Sequence, residues 1–272
     1  MSFRDDTTVR RVGDTSFEAA IEPGWDIAGN ANGGYLLAII ARAITEATGK
    51  PHPVTMTAHY LAPGKVGPVV IEVESVRIGN RHATATAKML VGDQPIIVAL
   101  GTTTTLDVAP EPLLVDASPP ALPSPEDCVL MRPMKPSGDH DRVPSFVDQV
   151  DLRLHPEDAG FIEGAVTGKA RVRGWFRFRD DEEVDPLGLL VAVDGFPPTI
   201  FNAALPVGWT PTVELTAHVR AVPQPGWLRC SFSTRFVTGG YLEEDGEVWD
   251  ASGRLIAQSR QLALVPRGGT SA

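Results

Sequence analysis

Thr57-Ala58-His59 returns as Thr216-Ala217-His218, an offset of 159 residues in a chain of 272. The same offset lays Gln94–Ala99 on Gly253–Gln258 without a gap, near the end of each half. Around these matches the order of elements also repeats: one helix, then a run of strands. A common offset at both ends and a shared element order predict an internal duplication. This constrains the fold more than any other feature, because whatever encloses one helix must be built twice.

In the first half, Ser16–Ile21 reads as an opening strand, followed by the turn-rich EPGWDIAGNANGG. Asn32 is placed to cap a helix over Gly33–Thr48, GGYLLAIIARAITEAT. That helix is apolar nearly all round, with Arg42 and Glu46 as exceptions, so burial is expected. After Gly49-Lys50-Pro51 the hydrophobic period changes from 3.6 to 2. Val54–Leu61, Val69–Arg77, His82–Val91 and Pro95–Thr105 read as strands, separated by Pro-Gly, Gly-Asn and Gly-Asp pairs. One buried helix followed by four such strands describes an antiparallel sheet curled round a central helix.

Nine of the chain's 24 prolines lie between Pro110 and Pro144, which predicts an extended surface linker. The chain thus divides into a first unit over 1–108, a linker over 109–145 and a second unit over 146–272. In the second unit Phe146–Leu154 and Ala170–Arg179 read as strands, then Pro186–Phe196 as a helix. Val213–Val219, Leu228–Thr238, Tyr241–Asp250 and Leu255–Val265 follow as strands.

The second helix carries the chain's most informative anomaly. Asp185 suits the N-cap and Pro186 the first helical position. Leu187, Leu190 and Val191 make one apolar face, and the next position on it is Asp194. A carboxyl group thus falls where the period asks for a core residue. Burying it is costly unless it is hydrogen-bonded, and a buried, tuned carboxyl is what general-base chemistry requires. The plain alternative is an Asp capping a local turn or sitting at the wet edge of the stripe. Gly195 and Pro197-Pro198 end the helix.

Composition excludes several classes. The formal net charge of -10 and a pI near 5.1 argue against nucleic acid and anionic membrane as partners. The N-terminal stretch MSFRDDTTVRR has no apolar signal region, and no run approaches a membrane span. Two cysteines, Cys128 and Cys230, form no spaced motif and fit a cytoplasmic setting. There is no G-x-S-x-G elbow, no H-x-x-x-H pair, no Cys/His cluster for zinc and no phosphate-binding glycine motif, so neither metal nor cofactor is expected. His59 and His218 are repeat mates, which suggests structure rather than catalysis. In RVRGWFRFR, Arg171, Arg173, Arg177 and Arg179 could form a phosphate-binding strip, although the solvated face of a strand is the simpler reading.

Five stretches, WDIAGNANGGYLLAIIARAI and HPVTMTAHYLAPGKVGPVVIEVESVRIGNRHATATAKML in the first half and LLVAVDGFPPTIFN, PTVELTAHVRA and GRLIAQSRQLALV in the second, carry a resemblance to the double-hotdog acyl-CoA thioesterases of the thioesterase II type. The likeness spans nearly the whole chain apart from the linker. It implies an α+β double hotdog, in which two curved antiparallel sheets each wrap round a central helix and are fused in one chain. It also implies hydrolysis of acyl-CoA by an Asp on the second central helix, a Thr at the start of the next strand and a Gln on the last strand. Those roles fall on Asp194, Thr212 and Gln261. Counting back 159 residues meets Tyr35, Pro53 and Thr102, so one active site per chain is implied. Gly33 and Gly34 would offer free N–H groups and the positive helix end to the oxyanion. Strict alternation, however, puts Thr212 on the polar strand face with Glu214, Thr216 and His218. The family further implies a homodimer or higher assembly of chains. A hotdog enoyl-CoA hydratase or dehydratase, and a non-catalytic acyl-CoA binding protein, are the alternatives.

Overall fold

A computed structural model describes residues 2–108, 110–131, 146–180 and 182–266. In the first unit β1 (Ser16–Ile21) precedes α1 (Gly33–Thr48), and β2 (His52–Tyr60), β3 (Gly67–Ile78), β4 (Ala83–Val91) and β5 (Gln94–Thr104) follow. The second contains β6 (Val129–Leu130), β7 (Val150–Leu154), β8 (Arg171–Phe178), α2 (Gly188–Ala192), β9 (Thr212–Val219), β10 (Leu228–Ser233), β11 (Tyr241–Trp249) and β12 (Leu255–Leu264).

The strands pair antiparallel in the order β1-β3-β4-β5-β2 and then β9-β12-β11-β10-β8-β7-β6. The two curved sheets of this double hotdog are therefore continuous, joined where β2 meets β9. At that seam Thr57 stands opposite Thr216, and their hydroxyls are 2.9 Å apart. The repeat mates found in the sequence face one another, so a pseudo-two-fold axis passes between them. Along both strands the apolar residues point to one face: Met56 and Ala58 in β2, Leu215, Ala217 and Val219 in β9, all buried. His59 and His218 project from the other face and are exposed. α1 lies inside the first sheet with Leu37, Ile40 and Ile44 buried.

Three expectations are corrected. The helix predicted over Pro186–Phe196 is only Gly188–Ala192; beyond Pro197-Pro198 the chain continues as a 3₁₀ turn over Thr199–Ala203. Neither proline can donate the N–H that a continuing helix would use. Second, Phe146–Gln149 is a helical turn, and the strand begins only at Val150. Third, the last strands match with an offset of 160. Ala99 lies opposite Ala58 just as Ser259 lies opposite Ala217, so β12 is displaced by one residue relative to the rest of the repeat. The extra residue lies in the β11–β12 connection, where the pairing also shifts between Val248 and Trp249.

Residues 132–145 of the expected linker lie outside the described residues. Its second part is not purely a spacer: β6 pairs with β7, and the Trp175 indole donates to the Pro123 carbonyl at 2.9 Å. Among the described residues no helix is long and apolar enough to cross a membrane. Cys128 and Cys230 are both buried and free.

Candidate active site

Asp185 starts α2 by accepting the N–H groups of Leu187 at 2.9 Å and Gly188 at 2.7 Å. Leu187, Leu190 and Val191 bury the face that the period marks out. The helix then tightens, with the Asp194 N–H closing on the Val191 carbonyl at 3.1 Å. This turn sends the Asp194 side chain to the start of α1. There Oδ2 accepts the Gly34 N–H at 2.8 Å and Asn32 Nδ2 at 3.2 Å, while Oδ1 accepts Gln261 Nε2 at 3.2 Å. Asn32 Nδ2 also donates to the Asp194 backbone carbonyl at 2.8 Å. Burial raises the carboxyl pKa to about 6, and the hydrogen bonds and backbone dipoles from Gly34, Gln261, Gly33 and Asn32 oppose that rise. The site therefore holds a carboxyl group that is mostly ionised at neutral pH and still basic enough to take a proton.

The start of α1 is shaped for this contact. Asn32 is its N-cap, accepting the Tyr35 N–H at 2.9 Å through Oδ1 while its amide nitrogen reaches Asp194. A Cβ on Gly34 would lie 2.2 Å from the Leu190 carbonyl oxygen, so glycine is what lets α1 and α2 come close enough for the hydrogen bond. The expectation of free N–H groups at Gly33–Gly34 is accordingly corrected: the Gly34 N–H is committed to the carboxylate.

Thr212 also differs from simple alternation. The β9–β12 pairing shifts between Thr212 and Glu214, placing Thr212 opposite Ala263 while Leu215 stays opposite Gln261. This bulge turns Thr212 from the polar face onto the inner one. Gln261 Nε2 donates to Thr212 Oγ1 as well as to Asp194. Asp194, Thr212, Gln261, Gly33 and Gly34, four segments far apart in the chain, are thus brought together.

Nothing comparable stands in the first half. Tyr35 is fully buried, stacked on Trp25 at 4.9 Å, and its hydroxyl donates to the Asp6 carbonyl. With the offset of 160, the counterpart of Gln261 is Gly101 rather than Thr102; a Cβ there would be 2.5 Å from Met56 Sδ. The carboxyl and amide of the second half are not requirements of the fold.

Two nearby groups were not legible as site residues. Tyr60 donates its hydroxyl to the Gly33 carbonyl at 2.9 Å, and burial, with the Asp194 and Glu214 charges, pushes its phenol well above the usual value. Its signal was only that of a strand-end aromatic. Glu244 is buried and stands opposite Gln261 across β11 and β12. It sits in YLEEDGEVW, where three of its neighbours are also acidic, so nothing marked it out.

The arginine strip is internally neutralised. Arg171 and Arg173 pair with Glu157 and Asp158, and Arg177 with Asp151. Arg179 donates to the Val147 and Val150 carbonyls. His155, Glu157 and Asp158 lie close enough to share a cation, but these same arginines occupy the two carboxylates. An open cleft of about 500 Å³ lies at the far end of α1, lined by residues including Arg42, His52 and Asp185, and shares no residue with the Asp194 constellation.

Residues 21–104 match the acyl-CoA thioesterase N-terminal domain, and residues 125–265 match the acyl-CoA thioesterase C-terminal domain. The chain belongs to the acyl-CoA thioesterase family. A candidate thioesterase II from Thermobifida fusca is 31% identical, with 97% of each chain covered and a TM-score of 0.87. An uncharacterized protein of Mycobacterium tuberculosis is 29% identical over 272 residues, covering 92% of this chain and 91% of the relative. A hotdog protein of unknown function from Alicyclobacillus acidocaldarius shares the fold, with a TM-score of 0.84 at 22% identity and coverage of 97% and 98%. Membership of this family makes the protein a thioesterase-type enzyme; Asp194, Thr212 and Gln261 lie in the part matched by the C-terminal domain, and Asn32, Gly33 and Gly34 in the part matched by the N-terminal domain.

Proposed function

We propose that the protein hydrolyses acyl-CoA thioesters by water activated at Asp194. The observation that carries this reading is the partly buried carboxyl held at once by the α1 start and by Gln261, with Thr212 on the same amide nitrogen. In this scheme a water sits between Asp194, Thr212 and Gln261. Because the Thr212 hydroxyl accepts from Gln261, its own proton is left to orient that water. Asp194 takes a proton as the water oxygen bonds to the thioester carbonyl carbon. The C–S bond then breaks, the thiolate leaves, and the proton on Asp194 passes to it. The carbonyl oxygen faces the Gly33–Gly34 end of α1, whose dipole favours the developing negative charge.

The test is thiol release from a series of acyl-CoA chain lengths. Release above the uncatalysed rate supports hydrolysis, and the chain length with the highest kcat/KM defines the substrate. A change in enoyl absorbance without thiol would instead mark a hydratase, and calorimetric binding without turnover a carrier. Gln261→Ala is expected to lower kcat by about 10²-fold, because it removes the donor shared by Asp194 and Thr212; steady-state kinetics check this. In the same reading the protein works in the cytoplasm as a homodimer or larger assembly of double-hotdog chains, which light scattering measures.

A further inference from the structure

Glu244 is a second carboxyl group close to the site, on strand β11 of the second sheet. It is 7% exposed and directly opposite Gln261 in the β11–β12 register. Its Oε2 accepts the N–H of Thr199 at 2.9 Å. Thr199 is the residue at which the chain resumes after Pro197-Pro198, five positions beyond Asp194, and it is fully buried. Its hydroxyl lies 2.7 Å from that of Thr234, which in turn donates to the Glu243 carbonyl. In the first half none of this exists. Ala85 lies opposite Gly101 where Glu244 lies opposite Gln261, and α1 runs unbroken with no N–H to satisfy. Glu244 therefore departs from the apolar pattern at the same place as Gln261 does, and it answers the backbone N–H that the proline break leaves behind.

We propose that Glu244 is a positioning residue for hydrolysis: by anchoring Thr199 it fixes the proline-broken segment that carries Asp194 against the strand that carries Gln261. This rests on the hydrolase reading above. The carboxylates acting on Glu244 are Asp194, from the end of α2, and Glu243, on its own strand. Burial, with these charges, raises its pKa to about 7, and the hydrogen bonds from Thr199 oppose that rise. Either form can accept from Thr199, so the anchor persists across neutral pH.

Two variants separate anchoring from packing. Glu244→Leu fills the space but cannot accept a hydrogen bond; Glu244→Gln keeps an acceptor and loses the charge. The expected result is a fall in kcat of roughly tenfold or more for Glu244→Leu with KM within about threefold, and rescue to within about threefold of wild type by Glu244→Gln. Backbone hydrogen exchange at Thr199–Ala203 should quicken in Glu244→Leu and return to wild-type protection in Glu244→Gln. An active wild type whose Leu variant matches it in kcat and in exchange overturns the positioning role alone. A wild type that releases no thiol overturns the hydrolase reading and the role together.

Discussion

Asp194→Asn is expected to lower thioester hydrolysis by roughly 10²–10⁴-fold, the range of a lost general base, and at the same time to stabilise the folded protein at alkaline pH. The two effects have one origin. The folded-state pKa of Asp194 is about 6, above the ordinary value for an aspartate. A carboxyl whose pKa rises on folding leaves the native state unpenalised below the unfolded pKa. Stability is then lost as pH rises through the folded pKa. For Asp194 the loss develops between about pH 4 and 6 and amounts to about 3 kcal/mol at most. Asparagine carries no charge to desolvate, and its amide oxygen can still accept the Gly34 N–H. Thermal melts of wild type and variant should therefore coincide near pH 4 and separate above pH 6, with the variant higher. Equal melting temperatures at pH 8 would mean that the carboxyl carries no burial penalty.

Gly34→Ala should be the most damaging single methyl group at this site. Alanine is the better helix former by up to about 1 kcal/mol, so propensity alone favours the change. The new Cβ, however, would meet the Leu190 carbonyl oxygen at 2.2 Å and the Asp194 Cβ at 3.0 Å. A backbone atom cannot move aside as a side chain can, and such overpacking costs about 1–3 kcal/mol. The clash wins over propensity: α1 and α2 must separate, and the Gly34–Asp194 hydrogen bond lengthens with them. We expect a melting temperature lower by roughly 2–8 °C and kcat at least about tenfold lower. The acid limb of the rate profile should also move to higher pH, because a hydrogen bond favouring the charged carboxylate is lost. Gly33→Ala provides the contrast. Its Cβ would meet only side-chain atoms, Asp194 Oδ2 at 2.9 Å and the Tyr60 ring at 3.1 Å, so the loss of stability should be smaller.

The outline of the fold was legible because its signals are local. Asn32 and Gly33–Thr48 read as a capped helix from residues within one stretch, and the observed bounds agree. The duplication could be read from Thr57-Ala58-His59 together with the repeated order of helix and strands, and those three residues turn out to lie at the pseudo-two-fold seam. What failed depends on partners distant in sequence. The Thr212 bulge exists only in register with β12, so alternation along β9 assigned that residue to the wrong face. The offset of 160 in the last strand is likewise visible only when both halves are paired with their neighbours. Asp194 was found because it breaks a helical period. Glu244 was not, since an acidic run on a strand looks solvated until Thr199 is brought against it. The free N–H groups expected at Gly33–Gly34 met a carboxylate from 160 residues away.

The most direct measurement of the central claim is the pH dependence of kcat/KM for thiol release by the wild type, recorded beside Asp194→Asn. In the proposed mechanism the ionised carboxylate is the working form, so the rate should fall as pH drops through about 6, and the variant should lie at least about 10²-fold below wild type at pH 8. A wild-type rate independent of pH between 5 and 8, together with a variant within about threefold of it, would contradict the assignment of Asp194 as the base.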